Sequence, residues 1–398
     1  MSSLTCIAIG DPHFKTDNVV FTDEFVDKAL PLIRQKNPDF IVVLGDILDR
    51  HALIHVNPLE RSIRFLKKLS EIAPLYVLIG NHDRPNNSNF LTTEHPFNAL
   101  KYWNSTKIVD VGLIDTIKNR KFIFLPYVPP GRFFEALATL FSPKEKKDTL
   151  LSKYQEDVEK IKQDLKIDKK TSLLTETEKE IYRHRHKQLV EELFSPSLND
   201  ITAVFAHQEF YGAKMGAIVS TEGDEWPLSF PFVISGHVHD YHYVQDNLLY
   251  IGTPLSHASN DHEIKTLSYF SWTFDNSRPV EERIDLNLTK RIVVTIPWDQ
   301  VATYVPPPKH FVKLIITGTS AELKTVLKVQ NIKTLTAMGV KIAYKNLPSP
   351  LTEVSQQQEQ HKMLGYKARL YQAVSQNPEL KNTFVKLFGN LSLDPTNS

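Results

Sequence analysis

Apolar residues gather early in the chain into short runs, each ending at a glycine and a polar residue. Leu4 to Ile9 runs into Gly10-Asp11, Phe40 to Leu44 into Gly45-Asp46, and Leu75 to Ile79 into Gly80-Asn81. The runs are short and rich in β-branched residues, the pattern of strands buried on both faces. Between them the apolar positions take helical spacing. Phe25, Ala29, Leu32 and Ile33 make one stripe, and Leu59, Ile63, Leu66 and Leu69 another. This β-α-β-α-β rhythm implies parallel strands joined by crossover helices. Further strands are predicted at Lys107 to Val111, Lys121 to Leu125, Thr202 to Phe205, Phe232 to Ser235 and Leu248 to Ile251. Leu267 to Phe274 and Arg291 to Ile296 are expected to extend a second sheet.

The pattern changes at about residues 143–196, a stretch rich in Lys and Glu and without glycine. Leu151, Tyr154, Val158, Ile161 and Leu165 alternate spacings of three and four. A polar break at Asp168 to Thr171 precedes a second run with Leu174, Ile181, Leu189 and Leu193. The prediction is an antiparallel helical hairpin inserted into the sheet domain, with solvated charged faces that carry His184 and His186. Pro306 to Pro308 breaks the chain. Beyond it a strand (His310 to Thr317), a helix (Ala321 to Leu327) and a strand (Val340 to Tyr344) make a small β-α-β module. The expected domains are 1–290, carrying the insertion, then 291–347, then 348–398 as linker and terminal helices. On the last helix Phe384, Leu387 and Phe388 form an apolar patch that packs on its own domain or docks a partner.

Composition narrows this picture. With 398 residues and 41% apolar content, the chain can bury a sizeable core and form more than one domain. Its 47 Lys and Arg balance 46 Asp and Glu, so net charge neither suggests nor excludes a nucleic-acid partner. The one cysteine, Cys6, sits in an apolar run and reads as a small buried hydrophobe. With no second thiol in the chain, a reducing, intracellular compartment (cytoplasm or nucleus) fits. No apolar run approaches the roughly 18 residues of a membrane helix, and the first residues do not form a signal peptide.

The candidate chemistry lies in five short motifs, each at the end of a strand: Asp11-Pro-His13, Gly45-Asp46-Ile-Leu-Asp49, Gly80-Asn81-His82-Asp83, His207, and Gly236-His237-Val-His239. Parallel strands present their C-terminal ends at one sheet edge, so motifs far apart in sequence can converge. Carboxylate, imidazole and amide oxygen suit Mn, Fe, Zn or Mg, and the absence of cysteine ligands argues against a structural zinc site.

Taken in order, these motifs resemble the calcineurin-like metallophosphoesterase superfamily. Within it they are most similar to the nuclease branch of bacterial SbcD, the tailed-phage recombination endonuclease subunit and the Mre-type repair nuclease. His95-Pro96, Ala206-His207-Gln208-Glu209 and Leu249-Tyr250-Ile251-Gly252-Thr253-Pro254 carry the likeness to the branch, which covers roughly residues 4–275. It implies an α/β fold, a two-sheet sandwich flanked by helices; the chain's own pattern adds the helical insertion, which lengthens the stretch between Asp83 and His207, and a small C-terminal α+β module similar in layout to the branch's capping domain. It also implies two divalent ions, manganese before magnesium, iron or zinc. Asp11, His13 and His239 would hold one ion, Asn81, His207 and His237 the other, and Asp46 would bridge them. His82 would face the leaving oxygen, with Asp83 orienting its ring. Asp49, Arg84 and His242 are candidate substrate contacts, His257 beside the fifth motif could touch substrate too, and Tyr127 with Pro126 and Pro129 resembles a loop near the site with no chemistry assigned. The implied partners are double-stranded DNA ends, an SMC-like ATPase and a second copy of the chain. The chain has no ATP-binding Gly-x-x-x-x-Gly-Lys-Ser/Thr motif of its own.

One position departs from part of the branch. Many archaeal and eukaryotic relatives carry His three residues after the bridging Asp. Asp49 stands there instead, as in many bacterial and phage members, and His51 nearby is a candidate to take that role. Two rivals stay open: a phosphatase or nucleotidase on small phosphoesters, and a DNA-end-binding scaffold without catalysis. The complete ligand set, His82 included, argues against the scaffold.

Overall fold

A computed structural model describes residues 3–142, 149–167, 174–257, 264–273 and 278–347, and positions 374, 380, 381 and 384. Contacts divide the chain into two units. The first comprises residues 1–294 with 305–313 and 339–341, and the second holds the rest.

The first unit opens with β1 (Leu4–Ile9), α1 (Val19–Lys36), β2 (Phe40–Val43), α2 (Val56–Ser70), β3 (Leu75–Leu78) and β4 (Thr106–Val109). Strands β1 to β4 pair in parallel. The chain then forms β5 (Leu113–Ile117), β6 (Arg120–Leu125), α3 (Phe133–Leu140), α4 (Leu150–Asp164), α5 (Glu176–Leu198) and β7 (Ile201–His207). After them come β8 (Lys214–Met215), β9 (Ile218–Val219), β10 (Phe232–Gly236), β11 (His242–Gln245), β12 (Leu248–Tyr250), β13 (Thr266–Trp272) and β14 (Val280–Asp285). The two large sheets run β14-β13-β1-β2-β3-β4 and β11-β12-β10-β7-β6-β5, an α/β arrangement of two main sheets flanked by helices.

Alternation along the strands explains the layering. Cys6 and Ala8 of β1 point between the sheets, with Phe40, Val42, Phe122, Phe205 and Trp272. Their neighbours Ile7 and Ile9 face the helices, with Phe25, Ile33 and Leu66. Both faces are therefore buried, which is why the strands read as continuous apolar runs. Cys6 is fully buried.

Two expectations at the sheet edges are corrected. Residues 266–272 pair antiparallel with β1 in the first sheet, not the second. Arg291 to Ile296 lies in β15 (Lys290–Pro297), which forms a three-stranded sheet with β16 (His310–Gly318) and β17 (Lys341–Asn346). Between β16 and β17 come two helices instead of one, α6 (Ser320–Val326) and α7 (Gln330–Ala337). Edge strands are chosen by distant partners, and a run of alternating residues does not say which sheet it joins.

The insertion is helical as expected. Helix α5 opens at a capping box: Thr175 Oγ1 accepts from Glu178 N–H, and Glu178 Oε2 accepts from Thr175 N–H at 2.7 Å. Val190, Leu193 and Phe194 of α5 pack with Tyr154 of α4 and Phe134 of α3. His186 is not on a solvated face. It bonds the Tyr154 hydroxyl at 2.8 Å and stacks on Tyr182, and burial pushes its pKa down to about 4. His184 is exposed, as expected. Apart from positions 374, 380, 381 and 384, which are helical, the segment expected to carry terminal helices beyond residue 347, with Leu387 and Phe388, lies outside the described residues, as does His262.

Asp224 braces the loop before α3, accepting a hydrogen bond from Phe133 N–H at 3.1 Å. Burial pushes its pKa up to about 7, against the backbone hydrogen bonds that lower it. The folded form thus keeps a proton that the unfolded chain has released above pH 4. Stability from this group is full below that point and falls as pH rises to about 7. Asp224→Asn is expected to flatten the urea-unfolding free energy between pH 5 and 7 by about 2–3 kcal/mol. Parallel pH curves for parent and variant would contradict this.

Candidate metal centre

All five motifs reach the same edge of the sandwich. Asp11 follows β1, Asp46 follows β2, Asn81 follows β3, His207 ends β7, and His237 and His239 follow β10. Hydrogen bonds stitch the two sheets together at this edge. Asp11 Oδ2 accepts from His237 N–H at 2.8 Å, and Leu44 C=O accepts from His207 Nδ1–H at 2.6 Å. The second bond fixes the His207 tautomer that leaves Nε2 facing inward.

The backbone is held in uncommon conformations here. His13, Asp46 and His237 have φ of 43°, 47° and 81°. Such residues cost about 1–3 kcal/mol each and cluster at functional sites. Gly80 must be glycine because a Cβ would lie 2.2 Å from Asp46 N and Oδ1.

The polar atoms form two groups. In the first, Asp11, His13 and His239 bring one donor atom each within 4.8 Å of one another; in the second, Asp46, His207 and His237 do the same. Asn81 Oδ1 joins the second group, 3.0 Å from both His207 Nε2 and His237 Nδ1. Asp46 faces both groups, with Oδ2 at 3.8 Å from His13 Nε2 and Oδ1 at 3.4 Å from His207 Nε2.

Charge in this cluster is poorly balanced by protein alone. Burial pushes Asp11 well above the usual carboxylate range, with His207 opposing and Asp46 adding to the shift. Burial also works on Asp46, but the charges of His207, His13 and His82 outweigh it and hold that carboxyl low. Burial lowers His13 strongly and His237 to about 3. His207 is raised to about 9, burial being overcome by Asp46 and Asp11. Asp11 Oδ1 and His13 Nδ1 are buried without a hydrogen-bond partner among the described residues. Inward-facing lone pairs and buried carboxylates converge on two points, which fits two divalent cations. Filling the second group would displace the His207 proton.

Four residues beside the ligand candidates do something other than expected. Asp83 does not orient the His82 ring. It accepts from Leu48 N–H at 2.9 Å, Gly80 N–H at 3.0 Å and Ile47 N–H at 3.2 Å, clamping two site loops together. The His82 ring is held instead by the Asp49 carbonyl, which accepts from Nδ1–H at 2.7 Å. The Asp49 carboxylate accepts from Lys15 Nζ at 3.3 Å and lies 3.8 Å from His13 Nδ1, beyond hydrogen-bond reach. Arg84 is buried, donates to the carbonyls of Tyr127 and Asn89, and lies over the Tyr127 ring, so it is not free for phosphate. His242 accepts from Lys214 N–H at 3.0 Å, bonds the Asp240 carbonyl and stacks on Tyr250, which makes it part of the β11 turn.

Two residues given no firm role by sequence lie against the centre. His257 packs edge-on against His13 and bonds the Asp11 carbonyl at 3.0 Å. The Tyr127 ring lies 5.8 Å from the His237 ring and 6.2 Å from that of His207. Neither sits in a motif; the place of His257 beside the fifth motif and the resemblance of the Tyr127 loop to a loop near the site were the signals in sequence.

Known proteins resemble this chain in sequence. The family model of calcineurin-like phosphoesterases matches residues 4–241. "Putative phosphoesterase 078R" of Invertebrate iridescent virus 3 is 34% identical over 89% of this chain and 87% of its own. "Putative phosphoesterase 244L" of Invertebrate iridescent virus 6 is 33% identical over 82% of this chain and 99% of its own. Among solved structures, a dimetal phosphatase from Danio rerio aligns with TM-score 0.39 and 13% identity, over 71% of this chain and 96% of its own.

Proposed function

From the premise that this chain belongs to the calcineurin-like phosphoesterase family, we propose that it is a phosphodiesterase cutting DNA, with His82 as proton donor to the leaving oxygen. The family's chemistry is phosphoester hydrolysis at a dinuclear divalent metal centre. In this chain Asp11, His13 and His239 would hold one ion and Asn81, His207 and His237 the other, with Asp46 shared. Once bound, the ions supply positive charge for the phosphoryl oxygens and make water acidic enough to attack near neutral pH.

The observation that carries the reading is the placement of His82. Its side chain is a third exposed, and Nε2 stands 3.9 Å from Asp46 Oδ2. The Asp49 carbonyl commits Nδ1–H, so Nε2 is the nitrogen left to face substrate. With a proton on Nε2 the ring is cationic. As the P–O bond breaks, that proton passes to the leaving oxygen and the ring is left neutral. Asp83 and Gly80 keep the loop bearing His82 against the loop bearing Asp46.

The choice of DNA rests on the branch-like motifs around His95, His207 and Gly252-Thr253-Pro254 in the sequence. Manganese as the metal, a second copy of the chain and an SMC-like ATPase as partners belong to the same proposal. A phosphatase on small monoesters shares every ligand and is the competing reading.

The test is hydrolysis of end-labelled linear duplex DNA with manganese, beside a chromogenic phosphodiester and a phosphomonoester. Cutting of DNA that drops about 10²–10⁴-fold in His82→Ala is the expected result. Hydrolysis of the monoester alone would replace the nuclease with the phosphatase. No hydrolysis, with tight binding of DNA ends, would leave a scaffold.

A further inference from the structure

One hydrogen bond does not hold an imidazole. The Asp49 carbonyl anchors His82 at Nδ1, but rotation about the bond to the ring is broad, and a single anchor leaves Nε2 free to swing. His51, two residues beyond Asp49 on the same loop, covers the ring. The two imidazoles stack with centroids 4.6 Å apart and planes inclined by 20°. The His13 ring meets His82 edge-on at 5.0 Å. His51 Nδ1 is buried and has no hydrogen-bond partner among the described residues, so bonding at that atom does not hold the residue in place.

We propose that His51 is a positioning residue whose ring clamps His82, so that Nε2 stays aimed at the leaving oxygen. The same loop then grips His82 twice, through the Asp49 carbonyl at its edge and through His51 on its face. His51 on this reading acts through His82 and not on phosphate directly. The inference rests on the reading of His82 as proton donor.

The difference between a positioning role and a merely structural one lies in the leaving group. A nitrophenolate leaves without a proton, whereas a nucleoside alkoxide needs one. Loss of the clamp should therefore slow an unactivated diester and spare an activated one. The experiment measures kcat and KM of the full chain with manganese on a 4-nitrophenyl phosphodiester and on a thymidine dinucleotide. The enzymes are the parent, His51→Ala, His51→Phe, His82→Ala and the double alanine variant. His51→Ala is expected to lower kcat on the dinucleotide about 10–100-fold, with KM and the nitrophenyl rate nearly unchanged. His51→Phe keeps a flat ring and should recover most of that loss. On the His82→Ala background, His51→Ala should add nothing, because both act through one group.

If His82→Ala discriminates between the substrates but His51→Ala slows both alike, or the two losses multiply, the clamp is refuted and His82 stands. A His82→Ala enzyme that keeps the parent's ratio of rates removes both assignments.

Discussion

Asp46→Ala should lose phosphodiester hydrolysis by on the order of 10³-fold or more and bind fewer than two divalent ions per chain. The reason is geometric. Asp46 offers one carboxylate oxygen toward each group, Oδ2 toward His13 and Oδ1 toward His207. Oδ1 also accepts the His82 N–H at 2.8 Å, so the residue ties the loop of the proposed acid to both cation positions. Removing it leaves buried imidazoles facing one another without the carboxylate that balances a metal charge. Asp46→Asn separates the parts: the amide can keep the bond to His82 N–H but supplies no charge. It should retain the fold and still lose metal. Manganese titration by calorimetry with parallel rate measurements reads both. An Asp46→Ala protein with the parent's metal stoichiometry and rate would end the two-ion reading of this site.

Asp83→Ala is expected to act on stability first. The buried carboxylate satisfies the N–H groups of Ile47, Leu48 and Gly80, which belong to the loops carrying Asp46 and Asn81. A buried donor left unsatisfied costs about 1–3 kcal/mol. Three of them, partly relieved by entering water, amount to about 3–5 kcal/mol. For a domain of this size that is roughly a 10 °C fall in melting temperature. Asp83→Asn, which turns an amide N–H toward backbone donors, should fall in between. If Asp83 instead oriented the His82 ring, Asp83→Ala would cut the rate while melting within about 2 °C of the parent. Thermal unfolding followed by circular dichroism, with and without manganese, decides between the two.

Much of this site was legible in sequence because its ligands obey a local rule. Each candidate ends an apolar run, and a run buried on both faces announces itself without any partner. Residues one to four places further on were harder to read. Asp49, Asp83, Arg84 and His242 have side chains suited to binding phosphate or moving protons, yet three bond backbone groups and Asp49 pairs with Lys15. Which they do depends on what the neighbouring loop presents, and that loop is far away in the chain: Tyr127 for Arg84, Lys214 for His242. His51 and His257 carry no motif signal, and only folding lays one on His82 and the other on His13.

The sequence by itself determined the first three strands with their crossover helices, the helical runs of α4 and α5, and the set of residues able to meet at one sheet edge, because periodicity and strand ends are local properties. Tertiary structure alone decided the rest. It placed residues 266–272 beside β1, gathered 290–297 into a separate sheet, and paired Asp11 with His237 and His207 with Leu44 across the sandwich. Those choices turn on hydrogen-bond partners distant in the chain, and a partner's position is a property of the folded chain that no single segment carries.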